Sequence, residues 1–192
     1  MPCYAGGRGC NFILQSCFAL NELFNGSIQN PHPCRIYTLD HSKIHVFKAE
    51  TTERVICDSK EFFRKLKNAR QVVIITGLGG NTGGMTTAML CSYLTQNKVR
   101  TTVIASLPFP FEGVSKRKKG FIQLQEIEKR CMDNDALVLH YENLQVDDRH
   151  AFTIEEYFIE DNKKIRVTLL TILNSQEWHT GDSQDLYLDK PA

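Results

Sequence analysis

The stretch Val72-Val73-Ile74-Ile75-Thr76 leads directly into Gly77-Leu78-Gly79-Gly80-Asn81-Thr82-Gly83-Gly84-Met85-Thr86-Thr87, and from there into Ala88 to Leu94. An unbroken apolar run of β-branched residues is the pattern of a strand buried on both faces. A glycine-rich turn comes next and opens a helix. Backbone N–H groups and the positive end of a helix dipole are thereby presented at the end of a buried strand, which is how a chain builds a phosphate cradle. A layered α/β sheet accommodates this unit, with ligands gathering at the carboxyl ends of the strands.

The rest of the chain alternates in the same way. Phe12 to Leu23 repeats apolar residues at helical spacing and stops at Asn25-Gly26. Arg35 to Leu39 and Ile44 to Phe47 read as strands, and Glu61 to Lys67 as a helix starting near Asp58-Ser59, both good capping types. After the glycine loop come a helix to about Gln96 and a strand from Val99 to Ala105. Leu107 to Gly113 is a loop, because its two prolines exclude a regular ladder. A helix from Ser115 to Cys131, a strand from Ala136 to His140 and a helix from Ala151 to Ile159 complete the alternation. Lys164 to Asn174 suits a strand as well as a helix. The expected architecture is an α/β three-layer sandwich around a mainly parallel, Rossmann-like sheet. It forms one domain over residues 1–175, with a polar tail at 176–192.

Bulk properties narrow the partners. A net charge of +1 on 192 residues gives no field for nucleic acid, and no apolar run approaches the length of a membrane span. No signal-peptide pattern opens the chain, so a cytoplasmic location is expected. The seven cysteines form no Cys-x-x-Cys pair and read as core thiols, and no metal-ligating cluster is expected.

The loop fits neither common phosphate-binding fingerprint. Starting at Gly77, G-x-G-x-x-G fails at Thr82. Gly79 to Thr86 matches G-x-x-x-x-G-K-[ST] except that Met85 stands in place of the lysine, the principal cation on the β- and γ-phosphates in that mechanism. The means of holding an anion remain. Gly79, Gly80, Gly83 and Gly84 let backbone N–H groups approach phosphate oxygens, and Thr82 and Thr86 add hydroxyl donors.

These residues resemble the FtsZ/tubulin signature, G-G-G-T-G-[ST]-G, in its FtsZ form with one asparagine. Other landmarks come in order: Gly6 to Asn11 is similar to the family's first glycine loop, and Pro108-Phe109-Pro110-Phe111-Glu112-Gly113 resembles the FtsZ stretch Pro-Phe-x-Phe-Glu-Gly. Ala151-Phe152 matches the opening of the family's central helix, and the resemblance spans about residues 4–160. It implies a site for GTP or GDP with magnesium. Gly6, Gly7 and Asn11 would line the first phosphate loop, and Gly79, Gly80, Thr82, Gly83 and Gly84 would hold the β- and γ-phosphates. Pro108 and Glu112 would border the ribose, Phe152 would stack on guanine, and Glu156 would take the aspartate's place at the base edge. Packing in a core is the other reading of Phe152.

The family's arginine is Lys116 here, which offers charge without a bidentate fork. The stretch from Asp40 to Gln71 is shorter than in the family and holds no second glycine-rich loop, and the family's second domain is expected to be absent. In FtsZ-like proteins the water-activating acids act on the nucleotide of the neighbouring subunit. The counterpart here is Asp182 with Asp185, for which a solvated tail is the other reading. Two functions are therefore open. One is a GTP-binding protein of cell division and septation or filament assembly, with GTPase activity shared between subunits. The other is a non-catalytic partner that caps or regulates full-length FtsZ filaments.

Overall fold

The computed structural model describes residues 2–5, 36–40, 43–48, 53–131, 137–141 and 153–174. The strands are β1 (Pro2–Ala5), β2 (Ile36–Asp40), β3 (Lys43–Lys48), β4 (Glu53–Ile56), β5 (Gln71–Gly77), β6 (Arg100–Ser106) and β7 (Leu137–Tyr141). The helices are α1 (Ser59–Lys67), α2 (Thr82–Gln96), α3 (Val114–Cys131) and α4 (Ile154–Asn174), with a 3-10 turn at Pro110–Glu112. The fold is α/β, as the alternating pattern implies. The seven strands of the described residues form one sheet in the order β4-β3-β2-β1-β5-β6-β7. Strands β2, β1, β5, β6 and β7 are mutually parallel, and β3 and β4 add an antiparallel edge.

Strand β5 lies near the middle, paired in parallel with β1 on one side and β6 on the other. Val72, Val73, Ile74 and Ile75 are all buried, so side chains on both faces of this strand are shielded from water. On one face, Val72, Ile74, Val103 and Ala105 join Phe62 and Leu66 of α1, Cys91 and Leu94 of α2, and Leu124 and Ile127 of α3 in a single apolar cluster. Val73, Ile75 and Ile104 are buried on the other face. Cys91 and Cys131 are buried free thiols, as expected of core cysteines. The hydrogen bond between them, together with burial, pushes the Cys91 thiol up.

Helix ends explain where the chain turns. Asp58 caps α1 by accepting from the Glu61 N–H at 3.1 Å, and Arg64, Lys65 and Lys67 lie at its carboxyl end, where the dipole favours cations. At the end of α2, the Val99 N–H bonds to Leu94 C=O at 3.0 Å and the Lys98 N–H to Thr95 C=O at 3.0 Å. This is a Schellman closure, and Lys98 takes the left-handed conformation (φ 55°) that usually falls to glycine. It turns the chain straight into β6.

Two elements differ from what the sequence suggests. Strand β4 is not legible in the residue pattern, because an edge strand bonds on one side only and leaves Val55 and Ile56 exposed. Lys164 to Asn174 continues α4 as helix. The buried residues Ile165 and Leu169 are spaced by four, so the helical period prevails over the β-branched composition. Helix α4 belongs to a second compact unit, residues 29–33 and 146–192. The helix expected from Phe12 to Leu23 lies outside the described residues. No described helix is long and apolar enough to cross a membrane.

Phe62 is fully buried and meets the rings of Tyr37 and Phe63 edge to face, with centroids 5.1 Å and 5.3 Å away. Phe62→Ala should lower unfolding stability by about 3–5 kcal/mol, whereas Phe63→Ala, at a partly exposed position, should lose clearly less. Urea titrations followed by circular dichroism compare the two.

Candidate functional site: a glycine loop clamped by a neighbouring helix

Gly77, the last residue of β5, pairs with Ser106, the last of β6, and the Leu78 N–H extends the ladder to the Ser106 carbonyl at 2.9 Å. Two loops therefore leave the carboxyl ends of adjacent parallel strands side by side: Leu78 to Asn81, and Leu107 to Gly113. Strand β1 ends at Ala5, level with Thr76. This is the edge at which open α/β sheets collect ligands.

The glycines in the loop have different tasks. Gly79 has φ +84°, and a Cβ there would come 2.5 Å from Pro108 Cγ and 2.8 Å from the Lys116 carbonyl oxygen. A Cβ on Gly84 would fall 2.3 Å from Gln123 Cδ. One on Gly120 of α3 would fall 2.7 Å from Pro108 Cδ. Gly79, Pro108 and Gly120 thus form a tight junction that seats α3 against the loop. Around Gly80 no atom of the described residues lies within 4 Å of the Cβ position. Gly79 is therefore required by packing against backbone, Gly84 makes room for the Gln123 side chain, and Gly80 presents an open face.

The start of α2 has no side-chain cap from its N-cap residue. Asn81 precedes the helix in a right-handed conformation, and its side chain makes no capping bond. Its Oδ1 instead accepts from the Lys119 ammonium. The first N–H groups of a helix have no acceptor within it, and among the described residues no side chain caps those of α2. Lys119, within the basic run at the start of α3, is brought to the loop by this bond. Nothing in the sequence spacing ties residue 119 to residue 81; only the packing of α3 on α2 does so. Gln123 is equally invisible in the sequence. Its Oε1 accepts from the Gly79 N–H at 2.7 Å, and its Nε2 donates to the Gly80 carbonyl at 2.7 Å. Met85, which occupies the lysine position of a P-loop, is 64% exposed. It lines a cleft between α2 and α3 with Met89, Ile122 and Arg130.

The second loop is organised by Glu112. One carboxylate oxygen accepts from the Phe109 N–H at 2.8 Å, and the other pairs with Lys116. Phe109 is buried, and its ring stacks on Phe111 with centroids 5.0 Å apart. Gly79, Gly80, Thr82, Gly83, Gly84, Pro108, Glu112 and Lys116 all lie at this one edge of the sheet. Gly6, Gly7, Asn11, Phe152, Asp182 and Asp185 lie outside the described residues. Glu156 is on the first turn of α4, where it closes a capping box. Its Oε2 accepts from the Thr153 N–H at 2.6 Å and from Thr153 Oγ1 at 3.0 Å, and the Glu156 N–H donates back to Thr153 Oγ1 at 3.3 Å.

This geometry makes two predictions about stability. Gly79→Ala combines a positive φ with a collision against backbone and should destabilise the fold by about 2 kcal/mol or more, whereas Gly80→Ala should change the urea midpoint little. The Thr153 backbone and hydroxyl bonds hold the Glu156 carboxyl below its ordinary value. A lowered folded-state value contributes stability that is present above the ordinary carboxylate range and is lost as pH falls through the lowered value. Glu156→Gln should therefore unfold at a lower denaturant midpoint than the parent chain at pH 7, with the two midpoints converging in acid below the ordinary carboxylate range.

No protein-family model matches the chain. Cell division protein FtsZ of Helicobacter pylori is 31% identical over 108 residues, which is 56% of this chain and 28% of that relative. Cell division protein FtsZ of Aquifex aeolicus is 31% identical over 96 residues, covering 50% of this chain and 25% of the relative. The matches thus span only about a quarter of those relatives' lengths. Among solved structures, an empty FtsZ dimer from M. jannaschii superposes with a TM-score of 0.57 at 16% identity, over 84% of this chain and 50% of that one. A PhuZ201 filament superposes with a TM-score of 0.53 at 16% identity, over 90% and 56%. Over about half its length the chain is thus similar in sequence to FtsZ, and its fold is that of the FtsZ and PhuZ structures.

Proposed function

We propose that the chain binds a guanine nucleotide at the Gly77 to Gly84 loop and acts in cell division or filament assembly. The observation that carries this reading is the amino terminus of α2, which the Asn81 side chain does not cap, behind the open face of Gly80. N–H groups from Gly80 to Gly83, the Thr82 hydroxyl and the helix dipole form a polyphosphate receptor made mainly of backbone. Charge-assisted hydrogen bonds of this kind are worth about 1.5–3 kcal/mol each, enough to do without a P-loop lysine at Met85. Magnesium would offset the charge of the triphosphate. Glu112 and Pro108 border the ribose, and Gly6, Gly7 and Asn11 complete the phosphate side. Phe152 and Glu156 carry the roles at the base that the family resemblance implies; both cap bonds to Glu156 use Oε2, which leaves Oε1 outside the cap.

Hydrolysis in this reading takes place between two subunits, with Asp182 and Asp185 of one activating water beside the γ-phosphate held by the other. Self-association is in keeping with relatives described as a dimer and as a filament. A second reading, a non-catalytic cap or regulator of full-length FtsZ filaments, draws on the segment from Asp40 to Gln71. It holds no glycine, and its described residues form the β3–β4 edge and α1, not a loop that could sense a γ-phosphate.

Calorimetry with GTP and magnesium tests the binding step, and no heat of binding at millimolar nucleotide, equivalent to about −4 kcal/mol, would sink it. Turnover measured against protein concentration separates the two readings. A self-assembling GTPase should turn over faster per molecule as its own concentration rises. Asp182→Ala should lose about 100-fold or more in turnover with nucleotide affinity retained. A capping protein should turn over little by itself and depress the turnover of an added full-length FtsZ.

A further inference from the structure

We infer that Gln123 is the positioning residue of the phosphate loop, fixing the direction of the backbone donors that meet the nucleotide. This rests on the reading that the loop holds guanine-nucleotide phosphates. The carboxamide brackets the Gly79–Gly80 peptide unit by accepting from the N–H before it and donating to the carbonyl after it, each at 2.7 Å. A trans peptide is planar, with its C=O and N–H antiparallel. Holding the Gly80 carbonyl on Gln123 therefore aims the Asn81 N–H the opposite way, away from α3. Holding the Gly79 N–H likewise withdraws it from ligand binding and commits it to loop geometry.

Asparagine and glutamine accept and donate from two atoms of one planar amide, at any pH. Asparagine is a methylene shorter, so glutamine matches the distance from α3. Two glycines make room for it. Gly84 leaves space for the carboxamide, and Gly120, one turn earlier on α3, lets the helix approach Pro108 and the Gly79 nitrogen. Neither glycine would be needed for the loop to exist; both are needed for α3 to grip it. The grip supplies preorganisation, since donors fixed before binding need no ordering when the phosphate arrives.

The test compares the parent chain with Gln123→Met, which keeps the length and removes the carboxamide, and with Gln123→Glu. Amide hydrogen exchange of Gly79, read without nucleotide, should be at least about tenfold faster in Gln123→Met. Affinity for GDP, measured by calorimetry, should fall by about tenfold or more in the same variant, while the thermal midpoint without nucleotide moves little. Gln123→Glu keeps an acceptor for Gly79 but sets a carboxylate against the Gly80 carbonyl. A protonated carboxyl restores the donor, so its GDP affinity relative to the parent should recover as pH falls from 7.5 toward 5. Bulk packing at this position would not produce such a profile. GDP affinity in Gln123→Met within twofold of the parent overturns the proposal. If the parent itself binds no guanine nucleotide, the nucleotide reading fails. The Gly79 exchange then decides the loop-positioning role alone, and unchanged exchange overturns that as well.

Discussion

Strand β5 is paired in parallel on both edges and shielded on both faces, so its direction and register leave little freedom to the glycine loop at its carboxyl end. The loop inherits that rigidity. A loop on a mobile element would have to be ordered by its ligand; this one begins a single residue beyond a ladder bond from Leu78 to Ser106. Helix α2 then packs back onto β1, β5 and β6, which sets the axis along which its dipole points.

In the proposed function the loop answers to two demands. A phosphate needs exposed N–H groups, and α3 needs to come close enough to hold the loop still. The glycines divide between them: Gly79 and Gly84 yield space to α3, and Gly80 keeps its face open. The asparagine before α2 is part of the same division. An ordinary capping residue would satisfy the first N–H groups of the helix. Asn81 instead accepts from Lys119 and leaves them available, and the same bond holds a cation beside the loop.

Much of this is legible along the chain. The apolar run of β5, the Asp58 cap, the helix ending near Gln96 and the proline-bearing loop at Leu107 to Gly113 each depend on neighbours a few residues away, so local pattern reveals them. Strand β4 is not legible, because an edge strand owes its existence to its partner β3 and not to its own composition. Helix α4 runs further than its residues suggest, because Val167, Thr168 and Thr171 suit a strand and only the burial of Ile165 and Leu169 on one side settles the period. In the candidate site, the motif alone reveals the residues of the two loops. It does not reveal Gln123 and Lys119, since their partners lie 43–44 and 38 residues away and no spacing rule connects them.

By itself the sequence determined the kind of cradle: a buried strand, a glycine turn and a helix start, with methionine where a P-loop would carry lysine. Those are properties of residues next to one another, fixed by backbone sterics and hydrophobic period. Tertiary structure alone decided which N–H groups remain for a ligand, because that depends on what α3 takes from the loop. Gly79 loses its donor to Gln123, while Asn81 gives its acceptor to Lys119 and so does not cap α2. Hydrogen bonds between groups far apart in the chain form only when packing brings them within about 3 Å, and no local pattern encodes that distance.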